Sequence, residues 1–78
     1  MRVLFFSQLR DLTGCREVEL PGAGLDEDGL WQRLSEAYPE LGRYRPVVRL
    51  ARNHEYASAQ VRFEEGDEVA LIPPVSGG

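Results

Sequence analysis

The segment Pro73-Pro74-Val75-Ser76-Gly77-Gly78 carries the best-placed chemistry of this chain: a stiff, strand-ending proline pair, two residues without side chains, and the carboxylate of Gly78. A carboxylate acylates poorly, because the departing group would be oxide. It needs activation, commonly as a mixed anhydride with a nucleotide phosphate, after which it can accept sulfur or join an amine. A terminus used in this way enters another protein's active site through a narrow opening, which side chains would obstruct and glycines do not. Ordering such a tail costs roughly 1 to 2 kcal/mol per residue, and the proline pair lowers that cost by restricting the free tail in advance. Docking elsewhere on the surface must offset the remainder.

Other candidate groups are sparse. His54, Ser58 and a nearby carboxylate have the residue types of a hydrolytic triad, but no nucleophile elbow or supporting spacing accompanies them. Cys15, beside Arg16, is the only cysteine, so it makes no internal disulfide. With a single histidine as well, no Cys/His metal site can be assembled. Gly22-Ala23-Gly24 precedes a helix, yet Asp26, Glu27 and Asp28 follow at once and would repel a phosphate, so the segment reads as a turn.

Composition narrows the function classes further. The 78 residues suffice for one domain with a modest core and no enclosed cofactor cavity. Thirteen acidic residues against nine arginines leave a net charge of -4, which disfavours nucleic acid as the main partner. The acidic runs Asp26-Glu27-Asp28 and Glu64-Glu65-Gly66-Asp67-Glu68 read as a helix start and a solvated loop, or as faces for a basic partner protein. No apolar stretch approaches the length of about 18 residues that a membrane span needs, and Met1 to Phe6 does not continue as a signal peptide. A cytoplasmic location without membrane attachment is expected. The chain contains no lysine, so lysine-linked chains of its own copies are chemically excluded.

The elements that must position the tail follow from periodicity. Val3 to Phe6 is an apolar run that reads as a buried first strand, and Arg16-Glu17-Val18-Glu19-Leu20 alternates as a half-buried one, paired with it across a turn at Gly14. Asp26 or Asp28 caps a helix whose face is Leu30, Trp31, Leu34, Ala37, Tyr38 and Leu41, ending near Tyr38 because Pro39 follows. Val47 to Arg52 is a third strand, Asn53-His54 a turn, Tyr56 to Gln60 a short strand or bulge, Glu65-Gly66-Asp67 a turn, and Glu68 to Ile72 the last strand, stopped by the prolines. This order predicts an α+β fold with one mixed sheet and one main helix across a face: residues 1–74 form the domain and 75–78 the tail. If Val3, Phe5, Val69 and Leu71 face the helix, then Leu4, Phe6, Ala70 and Ile72 face away. Nothing in a one-helix protein covers that second face, so Leu4, Phe6, Ile72 and Tyr56 are expected to form an apolar patch for a partner.

Gly66-Asp67-Glu68-Val69-Ala70-Leu71-Ile72-Pro73-Pro74-Val75-Ser76-Gly77-Gly78, with Val3-Leu4-Phe5-Phe6 leading into Leu9-Arg10-Asp11-Leu12 and Gly14, resembles the small subunits of molybdopterin synthases, which are sulfur carriers with a ubiquitin-like β-grasp fold. The likeness spans nearly the whole chain, and the last thirteen residues are its specific part. It implies that an E1-like enzyme, consuming ATP, adenylates the carboxylate of Gly78, and that a sulfur donor converts it to a thiocarboxylate. The tail then enters the large synthase subunit, in a heterotetramer, and donates sulfur to cyclic pyranopterin monophosphate. The carrier itself binds no cofactor and contributes no catalytic side chain. The resemblance also implies that Phe6, Tyr56 and Ile72, with Pro73 and Pro74, pack on the partner, while Val75, Ser76 and Gly77 form the inserted tail. Three other readings stand beside it: a carrier for thiazole or tRNA thiolation, a ubiquitin-like protein modifier joined through Gly78, and a passive binding module.

Overall fold

Alternation along two short strands decides the architecture. In the computed structural model, which describes residues 1–74, β1 (Arg2–Phe5) and the strand Glu68–Ile72 run side by side in parallel, Val3 beside Val69 and Phe5 beside Leu71. All four of these side chains are buried, the three aliphatic ones completely. Against β1 lies antiparallel β2 (Glu17–Glu19), with Val3 opposite Val18. On the far side of the last strand, β3 (Arg49–Arg52) pairs antiparallel, Leu50 opposite Leu71, and β4 (Glu55–Tyr56) closes the edge. With the last strand as β5, the order is β2-β1-β5-β3-β4. The mixed sheet predicted from the sequence is therefore present, and the strand that leads to the tail is its central member.

One helix covers one face. Helix α2 (Glu27–Ala37) starts at Asp26, whose carboxylate accepts from the Gly29 N–H at 2.8 Å, and Glu27 and Asp28 stand in its first turn, at the positive end of the dipole. Leu30, Trp31 and Leu34 are buried in it and meet Val3, Phe5, Val69 and Leu71. The apolar stripe is narrower than expected, because Ala37 is exposed. Phe63 and Val61, in the loop before β5, also enter the core although no regular element carries them.

The structure corrects the connections. The segment after β1 is a helix, α1 (Ser7–Thr13), where a long turn was expected; with only Leu9 buried it is too short to show a helical period. Its end is conventional: Gly14 has φ 77°, and its N–H donates to the Arg10 carbonyl. Phe6 belongs to no strand and caps this helix. Pro39–Val47 is a 3₁₀ helix that buries Leu41, so the third strand begins at Arg49 and not at Val47. Proline at its first position suits it, since that N–H would have no partner there. The expected strand from Tyr56 to Gln60 shrinks to Glu55–Tyr56, because Asn53-His54 makes a two-residue turn that starts the partner strand sooner.

The run Glu64 to Glu68 is a solvated loop only in part: Glu64, Glu65 and Gly66 are exposed, and Asp67 is not. Asp67 is buried, and its carboxylate accepts from the Glu64 N–H at 2.8 Å, Arg52 Nε at 2.8 Å and Asn53 Nδ2 at 3.2 Å. Burial pushes its carboxyl up, but the Glu64 N–H, the Asn53 amide and Arg52 together outweigh that, and the net shift is downward. This hub ties the Asn53-His54 turn to the turn that feeds β5.

Candidate functional site

The uncovered sheet face is where the side chains excluded from the core collect. Leu4, Ala70 and Ala51 form the middle row of that face, each opposite the next in the strand register, and Tyr56 stands opposite Ala51 at the edge. One step toward the tail, Phe6 and Ile72 continue the row. Leu4, Phe6, Ala51, His54, Tyr56, Glu68, Ala70 and Ile72 line one groove of about 380 Å³. Phe6 is 45 % exposed and Tyr56 60 % exposed, both high for aromatic side chains. The parity argument thus placed Leu4, Phe6, Ala70 and Ile72 on one face, and the structure brings them together with Tyr56.

Charge is distributed unevenly along the groove. Arg2 bonds Glu68 and lies 3.9 Å from Glu17, and His54 Nε2 lies 3.6 Å from Glu68, all at the end where β5 begins. At the other end, where β5 runs into Pro73 and Pro74, Arg49 is directly opposite Ile72. Its guanidinium carbon sits 3.8 Å from the centre of the Tyr56 ring. Reasoning from the sequence missed this pairing. The signal was present in the tight Asn53-His54 turn, which sets Tyr56 opposite Ala51 and so diagonal to Arg49 on the same face.

Pro73 is half-buried and Pro74 exposed. Neither can donate to a ladder, so pairing stops at Ile72 and the chain leaves the sheet beside the groove. Val75, Ser76, Gly77 and Gly78 lie outside the described residues.

The alternative chemical groups are engaged elsewhere. No hydrogen bond joins His54 to Ser58 among the described residues, and the His54 side chain is almost fully exposed. Cys15 Sγ lies 3.5 Å from the Tyr38 hydroxyl and 3.7 Å from Thr13 Oγ1, in a half-buried packing position. The Gly22-Ala23 N–H groups donate to the Glu65 carboxylate at 2.9 and 3.2 Å, so an internal anion already occupies that turn. These two bonds hold the Glu65 carboxyl below the usual carboxylate range. No helix among the described residues is long and apolar enough to cross a membrane.

Comparison with known proteins places this architecture. The sequence model of the ThiS family matches residues 3–78. A molybdopterin synthase sulfur carrier subunit of Caenorhabditis briggsae is 43 % identical, over 100 % of this chain and 96 % of that protein. A protein of the same description from Mycobacterium tuberculosis is 37 % identical, again over 100 % of this chain and 96 % of its own length. Among solved structures, SAMP1 of Haloferax volcanii superposes with a TM-score of 0.77 at 32 % identity, covering 99 % of this chain and 97 % of that one. The mixed five-stranded sheet with its helix is accordingly a ubiquitin-like β-grasp. With the match running from the first strand through Gly78, the chain belongs to the ThiS family.

Proposed function

We propose that this chain is the sulfur carrier subunit of a molybdopterin synthase and that its reactive group is the carboxylate of Gly78. An E1-like enzyme uses ATP to form the acyl adenylate and releases pyrophosphate. A sulfur donor at the sulfide oxidation level then attacks the acyl carbon; a C–S bond forms as the C–O bond to AMP breaks, and the product is a thiocarboxylate. Within the large synthase subunit that sulfur passes to cyclic pyranopterin monophosphate, and water restores the carboxylate.

The observation that carries this reading is the position of β5. It is the central strand, it places Leu71 in the core and Ile72 in the groove, and at the very next residue it gives way to the proline pair before the tail. The proline pair that precedes the tail is therefore held beside the groove, and burial of Phe6, Tyr56, Ile72, Pro73 and Pro74 on the partner offsets the cost of ordering Val75 to Gly78. Domain 1–74 supplies the affinity, and tail 75–78 supplies the chemistry.

Incubating the full chain with ATP, its E1-like enzyme and a sulfur donor should raise the intact mass by the difference between one sulfur and one oxygen. Deleting Gly78 should abolish this with an unchanged circular dichroism spectrum. Molybdopterin formation by the truncated chain would refute the assignment. Adding purified large subunit and the pyranopterin precursor separates this role from thiazole or tRNA thiolation.

A second reading has one observation in its favour: the 32 % identical Haloferax volcanii structure and another from that organism are described as small archaeal modifier protein 1. Joined through Gly78 to lysines of other proteins, this chain would appear as single additions, since it contains no lysine to extend. Immunoblots of cell extract that show discrete higher-mass bands resistant to thiol reagents would favour this role.

A further inference from the structure

The groove of the proposed docking face is apolar except at its two ends, and the ends differ. At the start of β5 the cation Arg2 is neutralised by Glu68 and Glu17, and His54 also lies against Glu68. At the tail end stands Arg49, exposed, with no carboxylate within ion-pair distance among the described residues. Its guanidinium lies over the Tyr56 ring. Stacking of this kind occupies the flat face of the group and leaves its edge N–H donors free. It also holds the plane in one orientation, so less side-chain entropy remains to be lost when those donors are used. The ladder fixes where this happens: Arg49 is the cross-strand partner of Ile72, the last residue before the prolines.

We propose that Arg49, held on Tyr56, is an electrostatic anchor that takes a carboxylate of the partner protein beside the opening through which the tail enters. The inference rests on the reading of this face as the docking surface and adds to it the chemistry of one contact. The free donors form a fork that matches a carboxylate in two parallel hydrogen bonds. The chain as a whole is acidic, with a net charge of -4. A partner acid aligned with the tail-side corner is attracted there, and one placed at the other end meets Glu68 and Glu17. The pair thus sets the direction in which the carrier sits in the groove of its partner, which apolar side chains alone do weakly. The tail's own carboxylate is a poor alternative, since in the docked complex the tail is spent inside the partner.

The test is titration of the full chain with purified large subunit of molybdopterin synthase at low and high salt, using wild type, Arg49→Gln, Arg49→Glu, Arg49→Lys and the exposed control Arg33→Gln on helix α2, which covers the opposite face of the sheet. Wild-type affinity should fall with salt. Arg49→Gln should weaken binding about tenfold, chiefly through a faster off-rate, and flatten the salt dependence, while Arg49→Glu should weaken it on the order of 100-fold. Arg49→Lys, which keeps the charge but loses the fork, should lie between wild type and glutamine. Arg33→Gln should match wild type. Equal affinity and equal salt dependence for Arg49→Gln would overturn the anchor and leave the carrier reading standing. So would a wild-type affinity indifferent to salt, a result that needs no variant to fold. Failure of wild type to bind at all would overturn both.

Discussion

Leu71 and Ile72 are adjacent in the chain and lie on opposite faces of the sheet: Leu71 is completely buried against the helix side, and Ile72 lines the open groove. A single residue step along β5 therefore separates the core from the groove proposed for docking. Substitutions at the two positions should separate in the same way. Leu71→Ala should cost about 2–5 kcal/mol of stability through lost burial and a cavity, read from denaturant unfolding. Ile72→Ala should cost far less and should instead weaken binding to the large subunit, since its side chain is needed only when the groove is filled.

The core anchor contributed by α2 is Trp31, buried beside Leu30 and Leu34. Trp31→Ala should lower stability by roughly 3–5 kcal/mol, which for a domain of this size is most of the margin it has. The tryptophan emission is lost with the substitution, so circular dichroism is the measurement to use.

Asp67 gives the protein a defined response to acid. Its folded carboxyl lies below its ordinary value because the Glu64 N–H, Asn53 and Arg52 outweigh the effect of burial. A depressed folded value contributes stability that is present above the unfolded value, about 4, and is lost as pH falls through the folded one. Unfolding midpoints measured from pH 7 to pH 3 should drop at the acid end, and Asp67→Asn should flatten that drop. Asp67→Ala should cost about 1–3 kcal/mol at neutral pH, because the Arg52 and Glu64 donors lose their acceptor.

The hairpin turn between β3 and β4 carries strain that a substitution can relieve. Asn53 and His54 both have positive φ, 51° and 75°. Asparagine tolerates this region and histidine less so, whereas glycine occupies it without cost. His54→Gly should raise stability by about 0.5–1 kcal/mol in a thermal melt. A fall would show that the contact of His54 with Glu68 outweighs the backbone term.

The tail prediction is kinetic. Gly77→Leu should leave the melting temperature unchanged and slow thiocarboxylate formation at least about tenfold, since a branched side chain must pass the opening of the activating enzyme. Formation at the wild-type rate would show that the entrance is wide and that the glycines serve another purpose.

Much of this molecule was legible in order along the chain. The cap at Asp26, the buried stripe through Trp31, the turn at Asn53-His54 and the bounds of the last strand at Glu68 and Ile72 each follow from local rules that hold wherever the segment sits. Parity along β1 and β5 also sorted the core face from the groove face, because a strand has only two sides. The short helix Ser7–Thr13 and the 3₁₀ helix Pro39–Val47 were not legible, since each buries a single leucine and neither repeats often enough to show a period. Asp67 was misread within its acidic run, because three donors brought from Arg52, Asn53 and Glu64 exist only after the two turns have met.

By itself, then, the sequence determined the residue types at the tail, the alternation that makes one face apolar with nothing to cover it, and the lack of any lysine. Only the tertiary structure decided that β5 is central, that its last residue lies across from Arg49, and that Tyr56 reaches under that arginine. The Asn53-His54 turn sets the register of β3 with β4 locally, but the pairing of β5 with β1 and β3 joins segments far apart in the chain, and composition and periodicity do not encode which strands become neighbours.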